Sequence, residues 1–148
     1  LIESIEDPLT EDDFEGFHTI TEEMPDTMII GDDLFATNRQ RIKEGVDKKA
    51  GNAILCKINQ IGTLTEAMDA ANFAREQGFA VVVSERSGET EDTILSDITV
   101  ALNAGLLKTG GMRGSDRGAK YNRLIEIERE LGKDARYAGR NYRLDLSK

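Results

Sequence analysis

Five apolar runs in this chain each end on polar residues: Glu6-Asp7, Asp32-Asp33, Lys57, Glu85-Arg86-Ser87 and Lys108. Acids at the first two ends could hold a hard divalent cation, because Mg2+ takes a few carboxylate oxygens together with water and substrate oxygens. Lys57 follows Ala53-Ile54-Leu55-Cys56. A lysine that ends an apolar strand beside a cation is a candidate base, since desolvation and a neighbouring positive charge both favour a neutral amine. Arg86 and Ser87 lead into Gly88-Glu89-Thr90-Glu91-Asp92-Thr93, and an arginine beside the start of a helix favours a phosphate.

Each of these residues has a plainer role open to it. Glu6-Asp7-Pro8 and Gly31-Asp32-Asp33 suit turns and helix caps as well as they suit a metal. Lys57 could be a strand-end lysine with its amine in water. The stretch from Ser87 to Thr93 could be a polar loop and helix start and nothing more. His18 beside Phe17 reads as structural. Cys56 points away from Lys57 in a regular strand and reads as a small buried hydrophobe.

The elements that would position these groups repeat along the chain. The candidate strand ends, at Glu6, Asp32, Lys57, Glu85 and Lys108, lie roughly 25 residues apart, the spacing of βα units in which a helix returns the chain to the same end of a parallel sheet. Met28–Ile30, Ala53–Cys56 and Ala80–Val83 are continuously apolar, as strands covered on both faces are. Helix signals fall between them. Thr10 with Asp13 resembles a capping box before Phe14 and Phe17, and Asn38 precedes Ile42, Val46 and Ala50, with Gly51 after. Thr63 with Glu66 forms another box, and Gly78 follows that helix. Ile94, Ile98 and Ala101 mark a fourth helix; Tyr121, Leu124, Ile125, Glu128 and Leu131 mark a fifth, ended by Gly132.

The pattern is therefore parallel α/β. A closed eight-stranded barrel typically takes about 250 residues, and this chain has 148. Five units fit an open sheet or part of a barrel, and the pattern alone does not choose. In either case ligands meet the carboxyl ends of the strands.

Hydrophobic content of 39% and charged content of 32% are those of a globular domain. No apolar run approaches the roughly 20 residues needed to span a bilayer. The net charge of −9 argues against nonspecific binding to nucleic acid or membrane surfaces. Cys56 is the single cysteine and can form no internal disulfide, which fits a reducing, cytoplasmic setting. The chain opens at Leu1, inside an apolar run, as a cut domain would.

At these same residues the chain resembles enolase of the archaeal and bacterial type. The matching segments are Ser4-Ile5-Glu6-Asp7-Pro8 with Glu11-Asp12-Asp13, Gly31-Asp32-Asp33-Leu34, and Lys57-Ile58-Asn59-Gln60-Ile61-Gly62-Thr63-Leu64. They continue with Arg86-Ser87-Gly88-Glu89-Thr90-Glu91-Asp92-Thr93, Leu107-Lys108-Thr109-Gly110, Ala119-Lys120-Tyr121-Asn122 and Tyr137-Ala138-Gly139-Arg140-Asn141. The resemblance selects the barrel fragment. It implies that residues 1–148 are the C-terminal half of an enolase-type TIM barrel, about five βα units, lacking the N-terminal domain and the first strands.

The resemblance also implies an activity and roles. The activity is the Mg2+-dependent interconversion of 2-phosphoglycerate and phosphoenolpyruvate in glycolysis and gluconeogenesis. Glu6 and Asp32 match metal ligands, Lys57 the catalytic base, Arg86 and Ser87 phosphate contacts, and Lys108 the lysine that holds the substrate's carboxylate. Three departures stand out. Glu85 replaces the family's histidine and should weaken anion binding or compete for metal. Residues 111–117 follow the family only loosely. One metal ligand and the general acid belong to the missing half, so the expected partners are a complementing N-terminal half or further copies of this chain pairing open strand edges. A non-catalytic, enolase-derived scaffold is the alternative.

Overall fold

The structure, a computed structural model, describes residues 2–139 and 142. Leu1, and Arg140 and Asn141 of the last matching segment, lie outside them. Five strands, β1 (Ser4–Glu6), β2 (Met28–Gly31), β3 (Ala53–Cys56), β4 (Ala80–Ser84) and β5 (Leu106–Lys108), pair in parallel in chain order. Helices α1 (Phe14–Glu23), α2 (Arg39–Lys48), α4 (Leu64–Glu76) and α5 (Ile94–Ala101) link successive strands, and α6 (Ser115–Leu131) follows β5. A single-turn helix, α3 (Ile58–Ile61), which the sequence pattern did not announce, sits directly after Lys57.

The central strands are buried along their whole length, whereas β1 and β5 at the sheet edges are partly open. Alternation divides their side chains between two clusters. Ile29, Ile54, Cys56, Val81 and Val83 pack under the helices with Phe17, Phe35, Ile42, Ala70, Ala71 and Leu102. Met28, Ile30, Ala53, Leu55, Ala80 and Val82 form the second cluster on the other face, joined by Leu106 and Tyr142.

One ion pair shows how strongly the sheet curls. Lys108 at the end of β5 places its Nζ 2.7 Å from both carboxylate oxygens of Glu6 at the end of β1. In a flat sheet those strands would stand roughly 19 Å apart, farther than a lysine and a glutamate reach together. The five strands therefore form a half-barrel.

The helix caps largely follow the sequence signals. Asn38 Oδ1 accepts from the amides of Gln40 and Arg41, and Thr63 Oγ1 accepts from the amide of Glu66. At α1 the cap is Asp13, whose carboxylate accepts from Gly16, while Thr10 closes the preceding turn through its carbonyl. Helix α2 ends at Lys48, and Ala50 lies beyond it, because Lys49 takes a left-handed conformation and caps the helix. Arg123 of α6 grips Asp97 of α5 through Nε and Nη2, and that hydrogen-bonded guanidinium holds the Asp97 carboxyl below its usual range.

The turn that carries Asp32 is held by Phe35. This ring is fully buried and packs edge-on against Phe79 with centroids 6.0 Å apart. It occupies space left by glycines: a Cβ on Gly31 would lie 2.5 Å from Phe35 Cδ2, and one on Gly45 would overlap Cε1. A glycine inside α2 ordinarily weakens a helix by about 1 kcal/mol relative to alanine, so Gly45→Ala would stabilise an isolated helix. Here overpacking dominates, and urea denaturation should show Gly45→Ala less stable than wild type by about 2 kcal/mol.

Candidate active site

Because the strands are parallel, every strand-end residue singled out in the sequence falls on one rim. Two carboxylate–lysine pairs occupy it. Lys57 Nζ donates to Asp32 Oδ2 in a short contact, with only 13% and 10% of the two side chains exposed. Lys108 pairs with Glu6, where 50% and 31% are exposed. The first pair is largely desolvated, so removing one partner would leave a costly buried charge; the second is open to water and adds little stability. Both expected metal ligands are thus bonded to expected substrate-binding lysines.

Further polar groups, not given roles by sequence reasoning, fix the Lys57–Asp32 pair. The Lys57 amide donates to Thr37 Oγ1 at 3.0 Å, and that hydroxyl lies 2.9 Å from Gln60 Oε1. Gln60 Nε2 in turn donates to Asp32 Oδ1 at 3.3 Å. Thr37 is fully buried in a left-handed conformation. The short helix α3 is what turns Gln60 back toward the rim. Cys56, one residue before Lys57, faces the other way into the helix-side cluster, as strand alternation requires.

Among the described residues, Asp7, Asp32 and Asp33 each offer a carboxylate oxygen within 4.8 Å of the others. Asp7 already uses both of its oxygens, accepting from the amides of Asp32 at 2.8 Å and Asp33 at 3.0 Å. Asp7 therefore binds the turn together, and Asp32 is the buried acid of the group.

A cavity of about 580 Å3 opens on this rim, bordered by Lys57, Asn59, Glu85, Arg86, Lys108 and Arg117, with Ser87 at its lip. Arg86 Nη1 donates to Asn59 Oδ1 at 2.9 Å. Glu85 turns its carboxylate to the wall, where Thr109 Oγ1 donates to it at 2.8 Å and Arg117 Nε lies 3.6 Å away. Four cations and one acid thus surround the space, a field suited to a small polyanion. Arg117 lies in the loosely matching stretch after Lys108, and only the path of α6 brings it here. A second cavity of about 450 Å3 lies at the opposite end of the strands, beside Ala80, Gly105 and Tyr142. It is far from the paired acids and lysines, so we assign the chemistry to the carboxyl-end rim.

Side chains from the helices tie the rim loops down. Arg41 of α2 donates from Nε to the Leu34 carbonyl at 2.6 Å and from Nη2 to Asp12 at 3.1 Å and to the Glu11 carbonyl. Tyr121 Oη of α6 donates to the Gly110 carbonyl, fixing the loop after Lys108. His18 stays outside this network, near the Lys49 carbonyl and Glu22.

A half-barrel with acids, lysines and an arginine gathered on the carboxyl-end rim is the architecture of a parallel α/β-barrel domain, the class of fold that places its ligands at that rim. Residues 1–146 match the family described as "Enolase, C-terminal TIM barrel domain", and the chain belongs to that family. It is 57% identical over 143 residues to the enolase of Methanococcus vannielii, covering 97% of this chain and 33% of that protein. Against the enolase of Methanocaldococcus jannaschii it is 59% identical over 142 residues, 96% of this chain and 33% of the relative. The enolase of Elusimicrobium minutum is 55% identical over 138 residues, 93% of this chain and again 33% of the relative. The chain thus spans about a third of the length of the curated relatives it matches. No helix among the described residues is long and apolar enough to cross a membrane.

Two measurements check this geometry. Asp32→Asn would leave the Lys57 ammonium partly buried beside a neutral amide, and should lower the unfolding free energy by about 2 kcal/mol in chemical denaturation. Burial pushes the Cys56 thiol up to about 11. At pH 8 about one thiol in a thousand is then ionised, so an aromatic disulfide reagent should label the native chain slowly. Because the thiol is buried, it reacts only when the strand opens, so the labelling rate should rise with pH through the ordinary thiol range, about 8.5, and then level off, and labelling should become rapid on unfolding.

Proposed function

We propose that this chain supplies the carboxyl-end rim of an enolase active site, interconverting 2-phosphoglycerate and phosphoenolpyruvate when an N-terminal enolase portion is joined to it. The observation that carries this reading is the convergence of Lys57, Arg86, Lys108 and Arg117 on one cavity, with Asp32 and Glu6 paired at its edge. The substrate bears a phosphate and a carboxylate, and both need cations.

In this reading Lys57, as the neutral amine, takes the proton from the carbon beside the carboxylate and becomes an ammonium, from a position fixed by Asp32 and by Thr37 at its backbone. Lys108 holds the substrate's carboxylate. Arg86 and Ser87 bind the phosphate at the other side of the cavity. Glu6 and Asp32 would hold Mg2+. Their oxygen-only chemistry suits a hard cation, and a carboxylate has about four lone-pair sites, so each acid can keep its lysine and still coordinate. When bound, the metal would absorb the charge that develops on the carboxylate as the proton leaves. The acid for the departing hydroxyl and one further metal ligand would come from the N-terminal portion. The reading includes the cytoplasmic location expected of a glycolytic enzyme with one unpaired, buried cysteine.

A second reading, a non-catalytic half-barrel that serves as a scaffold, is favoured by Glu85, an acid on the cavity wall. Its other support is the exposure of the edge strands β1 and β5, which favours pairing with another copy.

The test joins the chain to the N-terminal portion of a methanococcal enolase and follows phosphoenolpyruvate formation by ultraviolet absorbance. Mg2+-dependent turnover is expected, lowered about a thousandfold in Lys57→Ala. Absence of turnover in a folded, reassembled complex would overturn the enolase reading. Glu85→His should tighten 2-phosphoglycerate binding about tenfold by exchanging an acid for a cation-capable ring; an unchanged affinity favours the scaffold. Sedimentation of the chain alone should show dimers or larger species, and a well-folded monomer at high concentration would remove the self-association part of the proposal.

A further inference from the structure

Lys120 is the side chain in this fold whose placement the activity above leaves unexplained. It lies on α6, outside the cavity, and is fully buried, with 0% of the side chain exposed. A lysine is almost never fully buried unless its charge is matched. Its Nζ donates to the Thr90 carbonyl at 2.5 Å and lies 3.6 Å from Glu89 Oε2. The other Glu89 oxygen, Oε1, accepts from the backbone amide of Arg86 at 3.0 Å. The backbone of Lys120 is itself held, since Ser96 Oγ of α5 donates to its carbonyl at 2.8 Å.

We propose that Lys120 is a positioning residue for anion binding: through Glu89 and Thr90 it sets the rim loop that presents Arg86 and Ser87 to the phosphate. This rests on the enolase reading for the identity of the anion and on the contacts above for the mechanism. Arg86, Ser87 and Gly88 are all exposed, so apolar packing does not anchor this part of the loop. Its place depends on polar ties, and the tie from α6 is the one made by a fully desolvated charge. A carboxylate that has an ammonium on one side keeps its orientation, and so makes a better-directed acceptor for the Arg86 amide. The same helix fixes the loop after β5 through the neighbouring Tyr121. One turn of α6 thereby sets the spacing between Arg86 and Lys108, the two ends of the anion site.

The test uses the full 148-residue chain, with Lys120→Met and Glu89→Gln compared with wild type by amide NMR, hydrogen exchange and titration with 2-phosphoglycerate in Mg2+. In both variants the Arg86 amide proton should move upfield, and its exchange should quicken about tenfold while Ile54 and Val82 in the central strands stay within about twofold. Affinity for 2-phosphoglycerate should fall about tenfold. In the complex with an N-terminal portion the loss should appear in KM with kcat changed less than about twofold, as for a binding contact shared by ground and transition states. An unmoved Arg86 amide, or exchange that quickens equally at Ile54, overturns the proposal and leaves Lys120 a general stabiliser. If Lys120→Met does not fold, Glu89→Gln, altered at the partly exposed end of the tie, decides the matter by the same readouts. If wild type joined to the N-terminal portion fails to bind 2-phosphoglycerate, the enolase reading falls, and the Arg86 shift and exchange in the chain alone still decide the positioning role.

Discussion

Charge compensation on a crowded rim is the constraint around which this half-barrel is organised. Parallel strands deliver all of their carboxyl ends to one edge, and those ends carry Glu6, Asp32, Lys57, Glu85 and Lys108. Like charges alone would repel there. Instead each acid meets a base contributed by a different strand or helix: Asp32 with Lys57, Glu6 with Lys108, Glu85 with Arg117. The Lys57–Asp32 pair is the most desolvated of the three, so it holds its geometry best. The Glu6–Lys108 pair stabilises little, yet it spans the first and last strands and so reports the curvature that encloses the site.

The helices do more than cover the sheet. Their apolar sides bury Phe17, Phe35, Ile42 and Leu102 against the strands, and long polar side chains at their ends reach forward to the rim. Arg41 joins the loops after β1 and β2, Tyr121 holds the loop after β5, and Lys120 holds the loop after β4. Four of the rim loops, two of them bordering the cavity, are therefore tied to rigid elements, which favours a site formed before ligand arrives and reduces the ordering entropy lost on binding.

Glu85 shows how a locally unfavourable residue can be accommodated. An acid on the wall of this cavity should repel an anion there. Here Thr109 and Arg117 take up its carboxylate, so its charge is partly offset within the cavity wall. The cavity still presents more positive than negative groups.

The order and type of the elements were legible from the chain itself. Apolar runs at near-regular intervals predicted strands that end within a residue of those observed, and cap residues such as Asn38 and Thr63 act where their spacing placed them. These are local effects, set by side-chain type and period, so the sequence carries them directly. Strand-end position also marked Glu6, Asp32, Lys57, Arg86 and Lys108, because parallel topology makes that position chemically special. What only the tertiary structure decided is who meets whom. The pairing of Glu6 with Lys108 depends on the curl of the whole sheet. The arrival of Arg117 beside Glu85 depends on the path of α6, and the burial of Lys120 on the packing of α6 against α5. Such contacts join residues far apart in the chain, and no local pattern encodes the distance between them.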